Sequence, residues 1–196
     1  MIVILIGYLI GSIQPAFFIG KLKGIDIRDH GSKNAGAANT TMTLGWALGI
    51  STGCIDVLKA TFTVYLILNL YPTPTVYPVL PFLGGVMAVI GHNYPFYMNF
   101  NGGKGTASAI GIILGYDFYM GLVMVAVIII STVITNYLVV GTVNIYLVMI
   151  YLAIFKYQST EIMCLSILLG VLGVYKHRMN FVRIKNGTEP TFRGTL

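Results

Sequence analysis

Residues 77–106 read YPVLPFLGGVMAVIGHNYPFYMNFNGGKGT. The first two thirds, 77–97, form an apolar run long enough to cross the ~30 Å hydrocarbon core of a bilayer as a helix. The remainder turns polar: Gly91-His92-Asn93-Tyr94-Pro95 closes the run, and Asn101-Gly102-Gly103-Lys104-Gly105-Thr106 follows. Five further apolar runs, at 2–20, 47–71, 118–134, 138–155 and 162–175, read as spans. Between the third and fourth spans lies 107–115, apolar and Gly-rich but too short to cross alone. Only 9% of residues are charged and 56% are hydrophobic. Soluble domains carry about 25% charged residues, so the chain is expected to be a single all-α integral membrane domain over 1–196.

Charge sets the expected sidedness. Ten of the twelve basic residues fall in three segments: Lys21, Lys23, Arg28 and Lys33; Lys104; and Lys176, Arg178, Arg183, Lys185 and Arg193. Cytoplasmic loops carry such an excess, so all three segments are expected on that side. Reading 106–136 as one span would put the last segment outside. A break near Asp117, with a short or re-entrant fourth helix, keeps it inside and predicts about seven crossings, N-terminus out and C-terminus in. Irregular backbone at that depth is tolerated where protein buries it. The connection Tyr71-Pro72-Thr73-Pro74-Thr75 carries no charge and reads as an external turn.

The formal net charge of +6 follows from the same loops and does not point to nucleic acid, because the basic residues are not interleaved with aromatics on a soluble face. Cys54 and Cys164 sit far apart in apolar runs and read as small packing residues. No basic n-region precedes the first run, which therefore reads as a retained span. The acidic and imidazole residues have no metal-ligand spacing, and no cofactor is expected.

Chemistry concentrates in the polar segments. Gly11-Ser12-Ile13-Gln14-Pro15 interrupts the first span, and Pro15 predicts a kink. In Gly31-Ser32-Lys33-Asn34-Ala35-Gly36, with Asn39 beyond it, glycines allow close backbone approach to a ligand, and Ser32 or Asn34 is placed to cap a helix starting near Ala35. A Ser32 nucleophile would need His30 or His92 beside it. Asp56 and Lys59, three apart within a span, share a helix face and are expected to pair inside the bundle, either as a structural ion pair or with Lys59 as an anion ligand. Gly102, Gly103, Lys104 and Gly105, just before a helix, offer backbone N–H groups and an ammonium to an anion. The spacing is not that of a Walker A loop. His177, Asn180 and Arg183 would share one face of a continuing helix. Each cluster holds groups suited to a phosphate, and one shared site is expected.

Together these segments resemble the PlsY family of bacterial membrane acyl-phosphate:glycerol-3-phosphate acyltransferases, from Gly11-Ser12-Ile13 to Gly187-Thr188-Glu189. The first family motif is met by Gly31, Ser32, Asn34, Gly36 and Asn39, and the Asp-x-x-Lys pair by Asp56 and Lys59. The second is met by Gly91, His92 and Pro95 with Gly102-Gly103-Lys104-Gly105, and the third by His177, Asn180, Gly187, Thr188 and Glu189. The resemblance implies acyl transfer from acyl phosphate to the 1-hydroxyl of sn-glycerol 3-phosphate, giving lysophosphatidic acid for phospholipid synthesis. It implies a multi-pass protein of the bacterial cell membrane acting at the cytoplasmic face, without metal, supplied by a soluble acyl-phosphate-forming enzyme. Ser32, His177 and Asn180 are expected to be catalytic. Gly31, Asn34, Gly36, Asn39, Lys59, His92, Gly102, Gly103, Lys104, Gly105 and Glu189 are expected to bind substrate, with Glu189 alternatively orienting the third segment.

The chain departs from the family pattern at several positions. Met42 and Asn101 stand where the family usually has arginine and lysine, Gln14 replaces a proline, Lys176 replaces an arginine, and Lys33 replaces a glycine. Two missing cations keep open a relative with another acceptor or without catalysis. Midplane charges at Asp56 and Lys59 would suit a small phosphate-ester transporter, although no internal repeat of the transporter kind is present.

In a background lacking Cys54 and Cys164, single cysteines at Asn101 and Asn186 are expected to react with impermeant reagents from the cytoplasmic side only. Labelling of either from outside would contradict the predicted sidedness.

Overall fold

The computed structural model describes residues 1–71 and 78–195. The connection beginning at Pro72 lies outside the described residues. Those residues contain helices and no strand, as the composition required. They divide into two compact units, Met1–Tyr116 and Asp117–Leu196.

The first unit holds α1 (Ile2–Gly11), α2 (Pro15–Leu22), α3 (Ala37–Leu44), α4 (Trp46–Leu70), α5 (Val79–Asn93) and α6 (Thr106–Tyr116). The expected kink is present: α1 stops at Gly11 and α2 restarts with Pro15 at its first position, where a missing N–H removes no intrahelical bond. The break leaves carbonyl groups to be satisfied, and Tyr97 Oη donates to Ser12 O at 2.7 Å. α1 packs on α5 and α6 on α4, each across a seam of glycines. A Cβ at Gly11 would strike the Ala88 backbone, and one at Gly91 the Tyr8 carbonyl; Gly111 and Gly115 lie as tightly on the Val57 and Thr61 carbonyls. These are the small-xxx-small spacings Gly7-x-x-x-Gly11 and Gly111-x-x-x-Gly115, which permit close approach where lipid gives no hydrophobic drive. α6 buries Ser108 through Ile113. Its 11 residues span roughly 16 Å, so it is the short fourth segment.

The second unit holds α7 (Phe118–Thr135), α8 (Leu138–Tyr151), α9 (Thr160–Lys176) and α10 (Arg178–Lys185), with a π-helical turn at Leu152–Lys156. Asp117 marks the predicted break: its Oδ1 caps α7 through the Met120 N–H at 3.2 Å, and its Oδ2 pairs with Lys156 at 2.7 Å. α9 and α10 are bent by 48°. Five helical stretches among the described residues are long and apolar enough to cross a membrane, and the bent pair makes a sixth. The protein is thus an all-helical, multi-pass membrane protein.

Gly11→Leu should force the α1–α5 backbones apart. Overpacking of this kind costs about 1–3 kcal/mol, or roughly 2–12 °C in melting midpoint for a chain of this size. Melting of the purified protein in detergent checks this, with lipid-facing Leu9→Val expected to change little.

Candidate functional site

The first polar segment is a rigid loop built around Asn39. This side chain is buried; its Oδ1 accepts the Ser32 N–H at 2.7 Å, and its Nδ2 donates to Ile27 O at 2.8 Å and His30 O at 3.0 Å. Gly31 has φ +56°, and a Cβ there would collide with Asn39 Oδ1, so only glycine fits. Lys33 also lies in the left-handed region, at φ +57°, where a glycine would carry no steric cost. Ala16, Ile27, Ala35 and Met98 form a small buried cluster beneath the loop. α3 starts at Ala37 with Gly36 as N-cap and no side-chain cap. The expected start at Ala35, capped by Ser32 or Asn34, is corrected accordingly. The Asn39 amide thus holds the loop together.

Asp26 and Arg28 hold the loop's entry. Their side chains pair at 2.7 Å, and Arg28 Nη1 also donates to Met98 O at 3.1 Å. The Arg28 hydrogen bonds, the largest influence, pull the Asp26 carboxyl down to about 2 against the opposing effect of burial. Asn34 Nδ2 donates to Gly102 O at 3.3 Å. The first segment and the glycine loop are thereby joined within one unit. Ser32 is half-buried, and its backbone N–H, given to Asn39 Oδ1, fixes it in the loop.

Asp56, Lys59 and His92 meet in the interior of this unit. Lys59 Nζ lies 2.8 Å from Asp56 Oδ1, 2.9 Å from His92 Nδ1 and 2.6 Å from Ile13 O. His92 Nδ1 is 3.1 Å from Asp56 Oδ1. An ammonium has three protons, and three acceptors from α1–α2, α4 and α5 surround it. The expected ion pair of Asp56 and Lys59 is present inside the unit. A charge at mid-helix costs ~2.5–3.5 kcal/mol on insertion scales, which partners of this kind offset.

His92 then shapes the glycine loop. Its carbonyl accepts the Gly103 N–H at 3.0 Å and Gln14 Nε2 at 2.5 Å; the Asn93 carbonyl accepts the Gly102 N–H at 3.2 Å. The expectation that these two N–H groups face an anion is therefore corrected. A Cβ at Gly103 would fall on His92 Nε2, and one at Gly102 on the His92 carbonyl. Both glycines serve close packing. Lys104 is half-buried, and Gly105 at φ +84° turns the chain into α6, so the ammonium precedes a helix N-terminus as the sequence implied. Gln14, Arg28 and Tyr97 were missed as organising residues; the break before Pro15 was the one available signal, for Gln14.

The third segment is organised within the second unit. His177 is buried at the bend between α9 and α10, and its Nδ1 donates to Gly173 O at 2.8 Å. The expected continuous helix through His177, Asn180 and Arg183 is broken at its first member. Asn180 Nδ2 donates to Glu189 Oε1 and Arg183 Nε to Glu189 Oε2, each at 2.6 Å. These bonds agree with the alternative expectation, that Glu189 orients this segment.

Fold and site define a helical membrane protein with rigid polar loops bearing serine, amide, imidazole and ammonium groups. The sequence profile of the glycerol-3-phosphate acyltransferase family matches residues 1–187, and the chain belongs to that family. It is 40% identical over 185 residues to glycerol-3-phosphate acyltransferase 1 of Oceanobacillus iheyensis, covering 92% of this chain and 88% of that one. It is 38% identical over 192 residues to the glycerol-3-phosphate acyltransferase of Bacillus subtilis, covering 96% and 95%. The crystal structure of the integral membrane glycerol 3-phosphate acyltransferase PlsY in its glycerol 3-phosphate form aligns with a TM-score of 0.87 at 28% identity, over 97% of this chain and 94% of that one. Its lysophosphatidic acid form aligns at 0.84 and 27% identity, over 98% and 95%.

Removing one member of the buried pair strands a charge. Asp56→Leu or Lys59→Met alone should destabilise by roughly 3–5 kcal/mol, and the two together by clearly less. Denaturation midpoints of the three variants check this; a double variant as unstable as the sum of the singles would contradict it.

Proposed function

We propose that this protein transfers a fatty acyl group from acyl phosphate to the 1-hydroxyl of sn-glycerol 3-phosphate, releasing inorganic phosphate and lysophosphatidic acid. The observation that carries the reading is the family match over residues 1–187, which takes in the first two polar segments and the third as far as Gly187. The solved relatives in glycerol 3-phosphate and lysophosphatidic acid forms supply the acceptor and product by analogy. Acyl phosphate as donor, delivered by a soluble enzyme that forms it, completes the proposal.

The chemistry suits the residues present. Phosphate is a good leaving group, so positioning and charge stabilisation are the main demands. Ser32 and Asn34 on the rigid first loop and Lys104 before α6 are the proposed contacts for substrate oxygens. His177 and Asn180 are the proposed groups of the third segment. His177 is suited to hydroxyl chemistry: a carbonyl cannot donate, so the bond from Nδ1 to Gly173 O places the proton on Nδ1 and leaves Nε2 as the acceptor of the neutral ring. His92 reaches substrate, in this reading, only through the glycine loop it supports.

We place the protein in the bacterial cell membrane with seven crossings, N-terminus out, and both loops and the third segment at the cytoplasmic face, on the strength of the basic-residue asymmetry. The two compact units are proposed to work as one acyltransferase domain.

The purified protein, given acyl phosphate and glycerol 3-phosphate, is expected to form lysophosphatidic acid; no product would contradict the reading. Gly103→Ala, whose Cβ displaces His92 and with it the loop, should raise KM for glycerol 3-phosphate by more than it lowers kcat. An unchanged KM would remove the loop from acceptor binding.

A further inference from the structure

The two faces of α10 have different characters. At its end Gly187 N–H bonds Ile184 O at 3.0 Å and Thr188 N–H bonds Arg183 O at 2.8 Å, with Gly187 at φ +69°. This stop turns the chain back along the helix and brings Glu189 to Asn180 and Arg183, which are three residues apart and share one face. Arg178, Val182 and Lys185 follow at spacings of four and three and share the opposite face, flanked by Met179 and Phe181. None of the eight residues of α10 is buried. Met179 is 52%, Val182 47% and Phe181 36% exposed, and Arg178 and Lys185 are exposed as well.

Such a face suits neither bulk medium. Two cations exclude it from the hydrocarbon core, and three large apolar side chains side by side are out of place in free solution. At the headgroup level both demands are met, because long cationic side chains lay their stems along apolar surface and carry their charges to the phosphates. The bend supplies the placement. α9 exposes Leu168, Val171 and Val174, the surface of a helix in lipid, and the chain then turns by 48° into α10. Arg178 is held at that turn, its Nη1 donating to Tyr175 O at 3.1 Å and its guanidinium 4.3 Å from the Tyr175 ring centroid. Tyr175 is itself exposed, an aromatic of the kind that marks the membrane–water boundary.

We propose that α10 is an interfacial helix whose outward face docks on anionic phospholipid headgroups, with Arg178 and Lys185 against phosphates and Met179, Phe181 and Val182 among the first acyl carbons. The helix thereby separates lipid contact on one face from the Asn180–Glu189–Arg183 network on the other. This surface does not depend on the acyltransferase reading.

Spin labels on single cysteines at Met179 and at Val182, in the background lacking Cys54 and Cys164, test the docking. The full protein is reconstituted in phosphatidylcholine vesicles containing about one third phosphatidylglycerol, and in phosphatidylcholine alone. In the anionic vesicles both labels should be reached more readily by oxygen, which concentrates in lipid, than by a water-soluble nickel chelate. The ratio of oxygen to chelate access should fall by roughly tenfold in phosphatidylcholine alone, since each cation near an anionic surface is worth several-fold in binding. Arg178→Gln/Lys185→Gln should produce the same fall in the anionic vesicles. All the substituted side chains are exposed, so the melting midpoint is expected to stay at the wild-type value. Chelate access above oxygen access in the anionic vesicles would put the face in water, and exclusion of both reagents would put it under protein; either overturns the proposal. A ratio equal in the two kinds of vesicle, or untouched by the double variant, overturns it too, because apolar contact would then hold the helix without headgroup recognition.

Discussion

Three ionisable side chains buried inside a membrane-spanning unit are tolerated only as a set. Lys59 Nζ lies 2.8 Å from Asp56 Oδ1 and 2.9 Å from His92 Nδ1, and the Ile13 carbonyl takes its remaining proton. That carbonyl is presented at the break between α1 and α2, and the break follows from Pro15. The interruption of one helix is thus matched by charges on two others. The carbonyl of His92 then receives Gly103 and Gln14, so the position of the glycine loop depends on the buried charges.

The polar segments consequently divide into frame and working surface. Asn39, Gly31 and Gly36 build the first loop, Asn34 ties it to the second, and Arg28 ties its entry to Met98. Glu189 and Gly187 build the third segment. Motif membership alone does not separate these roles. A side chain whose every polar atom is occupied by its own chain is a poor ligand, however closely it matches a motif, because releasing it would cost the full desolvation of the partner left behind. By that criterion Asn39, Lys59 and Glu189 belong to the frame.

Spans, the kink before Pro15, the break at Asp117 and the interior pairing of Asp56 with Lys59 were legible because each depends on length, proline geometry or the cost of charge in lipid. The glycine seams were also written in the chain, as Gly7-x-x-x-Gly11 and Gly111-x-x-x-Gly115, but their meaning depends on which helix lies opposite. The start of α3 and the bend at His177 were not legible. Each turns on backbone dihedrals that neighbouring loops impose, Gly36 in extended conformation and His177 at φ −97°, ψ 4°. The direction of the Gly102 and Gly103 N–H groups was misread for a related reason: glycine signals close approach but not what approaches. Here it is the chain's own His92 and Asn93 carbonyls.

The claim that buried charges hold the glycine loop is tested most directly by amide hydrogen exchange in detergent at Gly102 and Gly103, comparing wild type with Lys59→Met. Both N–H groups donate to carbonyls of the turn that His92 anchors. The account predicts that these two amides lose protection while those in the middle of α6 keep theirs. Unchanged protection at Gly102 and Gly103 in a folded Lys59→Met protein would contradict it.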